Sequence, residues 1–250
     1  MIKFFRKIRY DLMEKNKTGK YFKYVIGEIV LVVIGILIAL QVNNWNNERL
    51  KSERNQELLI KLTKELKLNI DRAADLDSLS FDGGFKGRHL FSDSLTKIMQ
   101  RGIEVSDLDF MISRGIFWVN DFNLNTAVFE ELKNTASLYA IGSDSLVTAI
   151  NRYYKLCERE SYYNLKYSDE CIYLRQQCYD GWIDFAQVYS LQPKAAITNH
   201  PWLFNQRAPE YIHFKQYVLS TKGHSSLISI KLKGIIRESQ QLITLIESEQ

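Results

Sequence analysis

Residues 25–42 read VIGEIVLVVIGILIALQV, and sixteen of the eighteen are apolar or glycine, with Glu28 and Gln41 the exceptions. Ile29 through Leu40 is uninterrupted (IVLVVIGILIAL). As a helix rising 1.5 Å per residue, this stretch extends about 27 Å, near the hydrocarbon thickness of a bilayer. A buried core helix is the competing reading, and the flanks decide between them. Residues 1–24 carry eight bases (Lys3, Arg6, Lys7, Arg9, Lys15, Lys17, Lys20 and Lys23) against Asp11 and Glu14. That is +6, which leaves −2 for the rest of a chain whose net charge is +4. Gln41, Asn43, Asn44, Trp45, Asn46 and Asn47 close the other end. Bases before the run and an interfacial Trp after it predict a single-pass span with its N-terminus in the cytoplasm. The sequence pI of 8.8 belongs to this tail and not to a basic folded face, so no nucleic-acid partner is expected.

The span is expected to stay uncleaved, as a signal anchor. Leu37, Ile38, Leu40 and Gln41 around Ala39 do not provide small residues at the two positions a signal peptidase needs. Glu28 lies in the first turn or so, where its carboxylate can snorkel to the headgroups or meet Lys20, Lys23 or Tyr24. Gly35 and Ala39 form a small-xxx-small pair that allows two spans to approach closely. Ahead of them Ile2, Phe5, Ile8 and Leu12 recur at helical spacing between bases, the pattern of an amphipathic helix lying on anionic lipid. Gly19 is expected to break the chain between that helix and the span.

These residues, MIKFFRKIRY followed by GKYFKYVIGEIVLVVIGILIALQVNNWNNE, resemble the N-terminal signature of a family of uncharacterised single-pass membrane proteins of Bacteroidetes, defined as a domain of unknown function. The stretch NTAVFEELKNTASLYAIGSDSLVTAINRYY (residues 125–154) resembles the family's middle segment, more weakly, and residues 140–250 carry little that is diagnostic. The resemblance implies one span and an envelope location. It implies no catalytic residues.

The remainder predicts an all-α chain. Its only prolines, Pro193, Pro201 and Pro209, fall in one stretch, so nothing before them removes a helical N–H donor. The expected organisation is a basic cytoplasmic tail with an amphipathic helix (1–24), a transmembrane helix (25–42), an amphipathic stalk (43–80) and a helical-bundle extramembrane domain in the periplasm (81–250). Along the stalk Leu59, Leu62, Leu66, Ala73 and Leu76 share one face, with Glu53, Arg54, Glu57, Lys61, Lys64 and Glu65 elsewhere. Phe81–His89 (FDGGFKGRH) reads as a loop, followed by short helices starting at Ser92 and Ser106 and ending at Gly102 and Gly115. Ile116–Phe122 reads as a short extended segment crossing the bundle or as a buried turn. From Asn125 a helical pattern turns Val128, Phe129 and Leu132 inward, and Asp144 is the expected cap of a long helix to Ser190 that breaks between Arg159 and Ser168. Residues 193–209, with His200, Trp202 and Phe204, read as irregular. Two closing helices are expected, 209–219 and 225–249, the second with Leu227, Ile230, Leu232, Ile235, Ile236, Leu242, Leu245 and Ile246 as its apolar positions. This last helix is expected to run along the first, returning the C-terminus toward the membrane.

The chemistry of known sites is not written in these residues. Cys157, Cys171 and Cys178 lack metal spacing, and a helix sets Cys171 and Cys178 about 10 Å apart, too far for a disulfide. His89, His200, His213 and His224 form no zinc-binding pair. Ser143 and Ser145 lack the strand-turn-helix context of a nucleophile elbow. No catalytic, cofactor-binding or metal-ligating residue is therefore singled out, and no enzymatic activity is expected. The expected partners are the lipid bilayer, a second copy through span or stalk, and an envelope protein. Two functions remain: a membrane-anchored interaction or scaffold module, and a ligand sensor whose pocket is lined by Trp118, Trp202 and the tyrosines 153, 154, 162, 163, 167, 173 and 179.

Overall fold

A computed structural model describes Tyr10 and residues 18–79, 84–114 and 121–249; the expected surface helix at residues 2–12, Phe81, Gly115, Ile116 and Trp118 lie outside these. The fold is all-α, with eight α-helices and no strand among the described residues. They are α1 (Thr18–Leu76), α2 (Phe85–Arg101), α3 (Leu108–Ile112), α4 (Ala127–Asn134), α5 (Asp144–Gln176), α6 (Asp184–Leu191), α7 (Pro193–Asn199) and α8 (Pro209–Ser248). Packing divides the chain into two compact units, Met1–Gln56 and Glu57–Gln250.

The first unit contributes the N-terminal part of α1. Gly19 is helical, within the first turn of α1 as described, and residues 11–17, on which the expected break depends, lie outside the described residues. Large apolar side chains from Ile26 to Val42 are exposed at every azimuth, for example Leu31 at 68% and Ile38 at 60%. A helix apolar all round is stable only in apolar surroundings. By length and composition this segment can cross a membrane; its most apolar eighteen-residue window has a mean hydropathy of 2.7 and no buried residue. After it, the Arg49 guanidinium reaches toward Asn46 and Glu53 and sits 5.9 Å from the Trp45 ring centre.

In the second unit, α1 from Glu57 onward buries Leu58, Leu59, Leu62, Leu66, Ala73 and Leu76, the face its periodicity predicts. These pack with Leu146, Ile150, Tyr153 and Cys157 of α5 and with Ile228, Leu232, Ile235, Leu242 and Ile246 of α8. A second apolar cluster joins Phe91, Leu95 and Met99 of α2 to Phe185 of α6 and to Tyr211, Phe214 and Val218 of α8. Trp182 stacks on Phe214 there with ring centres 4.0 Å apart.

Several local expectations are corrected. Residues Phe85–His89 are helical, so α2 is a single 17-residue helix and Ser92 is buried inside it, not capping it. The loop's glycine signal belongs to Gly84, where a Cβ would collide with the Ser78 carbonyl oxygen. Gly102 does end α2, with φ of +101°. Ser106 is not a cap either: Glu104 leads a short 3-10 turn, its own N–H donating to Asp107 Oδ2 at 2.9 Å. Ser143, and not Asp144, caps α5 by accepting from the Leu146 N–H at 3.2 Å.

Helix α5 runs unbroken through Arg159–Ser168 because that segment has no Gly or Pro and its Glu160, Asn164 and Ser168 face inward. The interruption comes later, in a π-helical turn at Tyr179–Ile183 around Gly181, whose Cβ position lies 3.1 Å from Glu210. Residues 193–209 are mostly helical, since Pro193 and Pro201 occupy first-turn positions where a missing N–H costs nothing. The two closing helices are one. Gly223 costs roughly 1 kcal/mol relative to Ala, but Thr221, His224, Ser225 and Ile228 around it are buried, and that packing carries α8 through. Ile230, expected inside, is exposed.

Candidate functional site

Glu65 departs most from its expected place. It lies on the buried face of α1, 4% exposed, and its Oε2 accepts the Val128 N–H at 2.7 Å while the Tyr154 hydroxyl donates to Oε1. One turn on, Asn69 Oδ1 accepts from the Asn125 N–H at 2.6 Å and its Nδ2 donates to the Asn125 carbonyl at 3.0 Å. Asn69 Nδ2 also lies 3.2 Å from Tyr153 Oη, which accepts from Ser239 Oγ at 2.9 Å. Arg72 donates to the carbonyls of Asp121 and Phe122, each at 3.0 Å. Three side chains of α1 thus do for segment 121–128 what a neighbouring strand would do, satisfying its backbone groups inside the protein.

Beside this network opens a groove of about 760 Å³. Phe122, Phe129, Leu138, Tyr139, Tyr154 and Leu165 supply apolar surface and Asp121, Glu130, Lys133, Lys155 and Glu158 the charges. Phe129 stacks on Tyr154 with ring centres 4.1 Å apart. The aromatic lining expected for a ligand pocket is not brought together. Tyr153 and Tyr154 are buried here, Trp202 is buried in the second cluster, and Tyr162, Tyr163, Tyr173 and Tyr179 are exposed.

The unexpected feature lies where α2, α5 and α8 meet. Arg88 and Ser92 of α2, Ser168, Cys171 and Arg175 of α5, and Tyr217, Thr221, His224 and Ser225 of α8 recur at intervals of three, four or seven, so each helix turns a polar stripe inward. Arg88 is only 9% exposed, and among the described residues no carboxylate pairs with it. Its Cζ sits 5.0 Å from the Phe85 ring centre, an attraction far weaker than an ion pair. Burial, partly offset by nearby Tyr217 and Cys171, pulls the guanidinium down to about 10.

His224 is equally buried. Its Nδ1 lies 3.7 Å from Cys171 Sγ, and Phe85 and Tyr167 rings stand 5.8 and 5.6 Å away. Burial, assisted by the positive charge of Arg88, lowers the imidazole to about 4, so it is neutral at pH 7. Burial also raises the Cys171 thiol. Six buried polar atoms of this layer have no hydrogen-bond partner among the described residues: Arg88 Nη2, His224 Nε2, Arg175 Nε and the hydroxyls of Ser92, Ser168 and Ser225. Orphaned buried polar groups are rare in folded proteins, so six together call for polar partners from outside the protein, water or a ligand.

The other singled-out residues have structural roles. His200 donates through Nδ1 to the Ala196 carbonyl at 2.8 Å, with Nε2 at 2.9 Å from Asp184 Oδ2. His89 bonds the Lys222 carbonyl at 3.2 Å. Ser143 and Ser145 hydroxyls lie 2.7 Å apart, and Ser143 also donates to Glu249, tying the start of α5 to the end of α8. All three cysteines are free and buried. Among the described residues no three His, Cys, Asp or Glu side chains converge as metal ligands. A sequence signal for Arg88 exists, its i, i+3, i+7 spacing with Phe85 and Ser92, but the glycines of FDGGFKGRH hide it by suggesting a loop.

No protein-family model, curated protein or solved structure matches this chain.

Proposed function

We propose that this chain is a non-enzymatic interaction or scaffold module of the cell envelope, held in the inner membrane by residues 25–42 with its N-terminus in the cytoplasm and its helical domain in the periplasm. One observation carries the reading: apolar side chains are exposed on all sides of α1 from Ile26 to Val42, whereas the domain from Glu57 onward closes its own apolar residues into two clusters. The eight preceding bases support the orientation, and the resemblance to single-pass proteins of Bacteroidetes supports the same topology. Self-association runs along the Gly35 and Ala39 face, where a Cβ on Gly35 would meet nothing within 4 Å.

The test is crosslinking in intact cells at native expression, after alkaline extraction has established that the chain stays with the membrane. Stable crosslinked partners, a second copy or another envelope protein, are expected. Recovery of free monomer alone overturns the scaffold role. A periplasmic reporter fused after Gln250 should be active, and an inactive one overturns the orientation.

A second reading, a small-molecule-binding domain that signals through its span, is favoured by the orphaned polar layer around Arg88 and not by the aromatic set the sequence suggested.

A further inference from the structure

We propose that the layer between α2, α5 and α8 is a binding site for a small oxyanion, a carboxylate or phosphate group, received by Arg88, His224, Ser92 and Ser225. The inference rests on the ligand-binding reading and names its chemistry. Each member that has been orphaned can donate. Arg88 Nη2 is an obligatory donor, and the hydroxyls of Ser92 and Ser225 rotate to donate. His224 is neutral, and its Nδ1 faces the Cys171 thiol. With the Cys171 thiol donating to Nδ1, the imidazole proton sits on Nε2, the orphaned atom.

Water can fill hydrogen-bonding vacancies, but it leaves the charge of Arg88, itself only 9% exposed, uncompensated. The guanidinium fork fits a two-oxygen acceptor with two parallel bonds. A cation is excluded by the sign of the field. Among the described residues no carboxylate pairs with Arg88, and Glu170 of α5, whose charge is felt at Cys171, is exposed and takes the Ser220 hydroxyl at 3.3 Å. Arg175, whose Nε is orphaned at the edge of the layer, adds a second positive charge and accommodates a dianion.

The full chain in detergent micelles, melted in chloride buffer at pH 7 with inorganic phosphate, acetate, benzoate or neutral benzamide, tests this. A saturable rise of about 3–6 °C at ten times the dissociation constant is expected for at least one oxyanion and not for benzamide. Arg88→Met should melt no lower than wild type without anion, because it removes an unpaired buried charge, and should lose the response. Arg88→Lys keeps the charge without the fork and should weaken binding at least tenfold. Should Arg88→Met fail to fold, Ser92→Ala and Ser225→Ala take its place and are expected to weaken the response.

Three results overturn the proposal: no rise with any oxyanion, a rise that survives Arg88→Met, or a rise that chloride alone saturates. Benzamide acting through Arg88 overturns the anion chemistry while the ligand-binding reading stands. Silence from all four probes removes both.

Discussion

Replacing Glu65 by alanine should be among the most destabilising single changes in the domain from Glu57 onward. The carboxylate is 4% exposed and accepts two hydrogen bonds, from the Val128 N–H and the Tyr154 hydroxyl. Truncation leaves both donors buried, at about 1–3 kcal/mol each, and opens a void in a close-packed region. A total of ~3–5 kcal/mol follows, which for a domain of this size lowers the melting temperature by roughly 10 °C. Glu65→Gln keeps an oxygen for Val128 and an amide N–H that can donate to Tyr154 Oη, so it should cost only about 1 kcal/mol. The assay is thermal unfolding of the full chain in detergent, followed by circular dichroism, with Glu158→Ala on the exposed rim of the groove as a surface control. Amide exchange at Asn125 and Val128 should accelerate in the alanine variant, because segment 121–128 loses its tie to α1. If Glu65→Ala melts within ~2 °C of wild type, or no lower than Glu158→Ala, the network is not holding the segment and the reasoning fails.

Three further outcomes follow from the core. His224 has a folded pKa of about 4 against an ordinary 6.5, so the folded protein keeps it neutral while the unfolded chain takes up a proton. Its contribution is complete above pH 6.5 and is lost as pH falls toward 4, by ~3 kcal/mol in all; comparing urea midpoints of wild type and His224→Phe at pH 7 and pH 4.5 should reveal this slope only in wild type. Gly102→Ala should cost about 1–2 kcal/mol in the same measurement through backbone strain, because φ is +101° and the nearest side-chain atom, Gln206 Nε2, is an unobstructive 3.5 Å from the added Cβ. Burial raises Cys157 to about 11, Cys178 to about 12 and Cys171 above its ordinary value, so maleimide at pH 7.5 should label none of them before unfolding and all three after it. Rapid native labelling of Cys171 would refute the packing of α5 on α8.

The readable parts of this chain were those where one physical term dominates. Eighteen residues with sixteen apolar or glycine specify a lipid-compatible helix regardless of neighbours, and the Leu59, Leu62, Leu66, Ala73 and Leu76 stripe specifies a buried face. Helix ends were legible less often, because local signals compete with tertiary packing. Gly223 reads as a break but is overruled by buried neighbours on either side, whereas Gly102 reads as an end and is one. Ser92 and Ser106 look like caps only because sequence does not say whether a hydroxyl meets solvent, backbone or core. Glu65 and Arg88 were illegible for the same reason in stronger form. A charged residue on an amphipathic helix is assigned to the solvated side by default, and only the positions of Val128, Tyr154 and Phe85 in space reveal the exceptions.

Those exceptions differ in their thermodynamics. Glu65 sits among donors that the fold itself supplies, so its burial is compensated inside the protein and its role is architectural. Arg88 sits among groups that also donate, and a charge left uncompensated in a core costs several kcal/mol. The two apolar clusters must offset that cost. α8 crosses both of them, from Tyr211 to Val218 in one and from Ile228 to Ile246 in the other, with Thr221, His224 and Ser225 between. Apolar residues at those positions would join the clusters into one continuous core and stabilise the bundle. A polar interruption at the meeting point of three helices therefore weakens the fold where it is most buried, and the donors gathered there call for an acceptor that no described carboxylate provides.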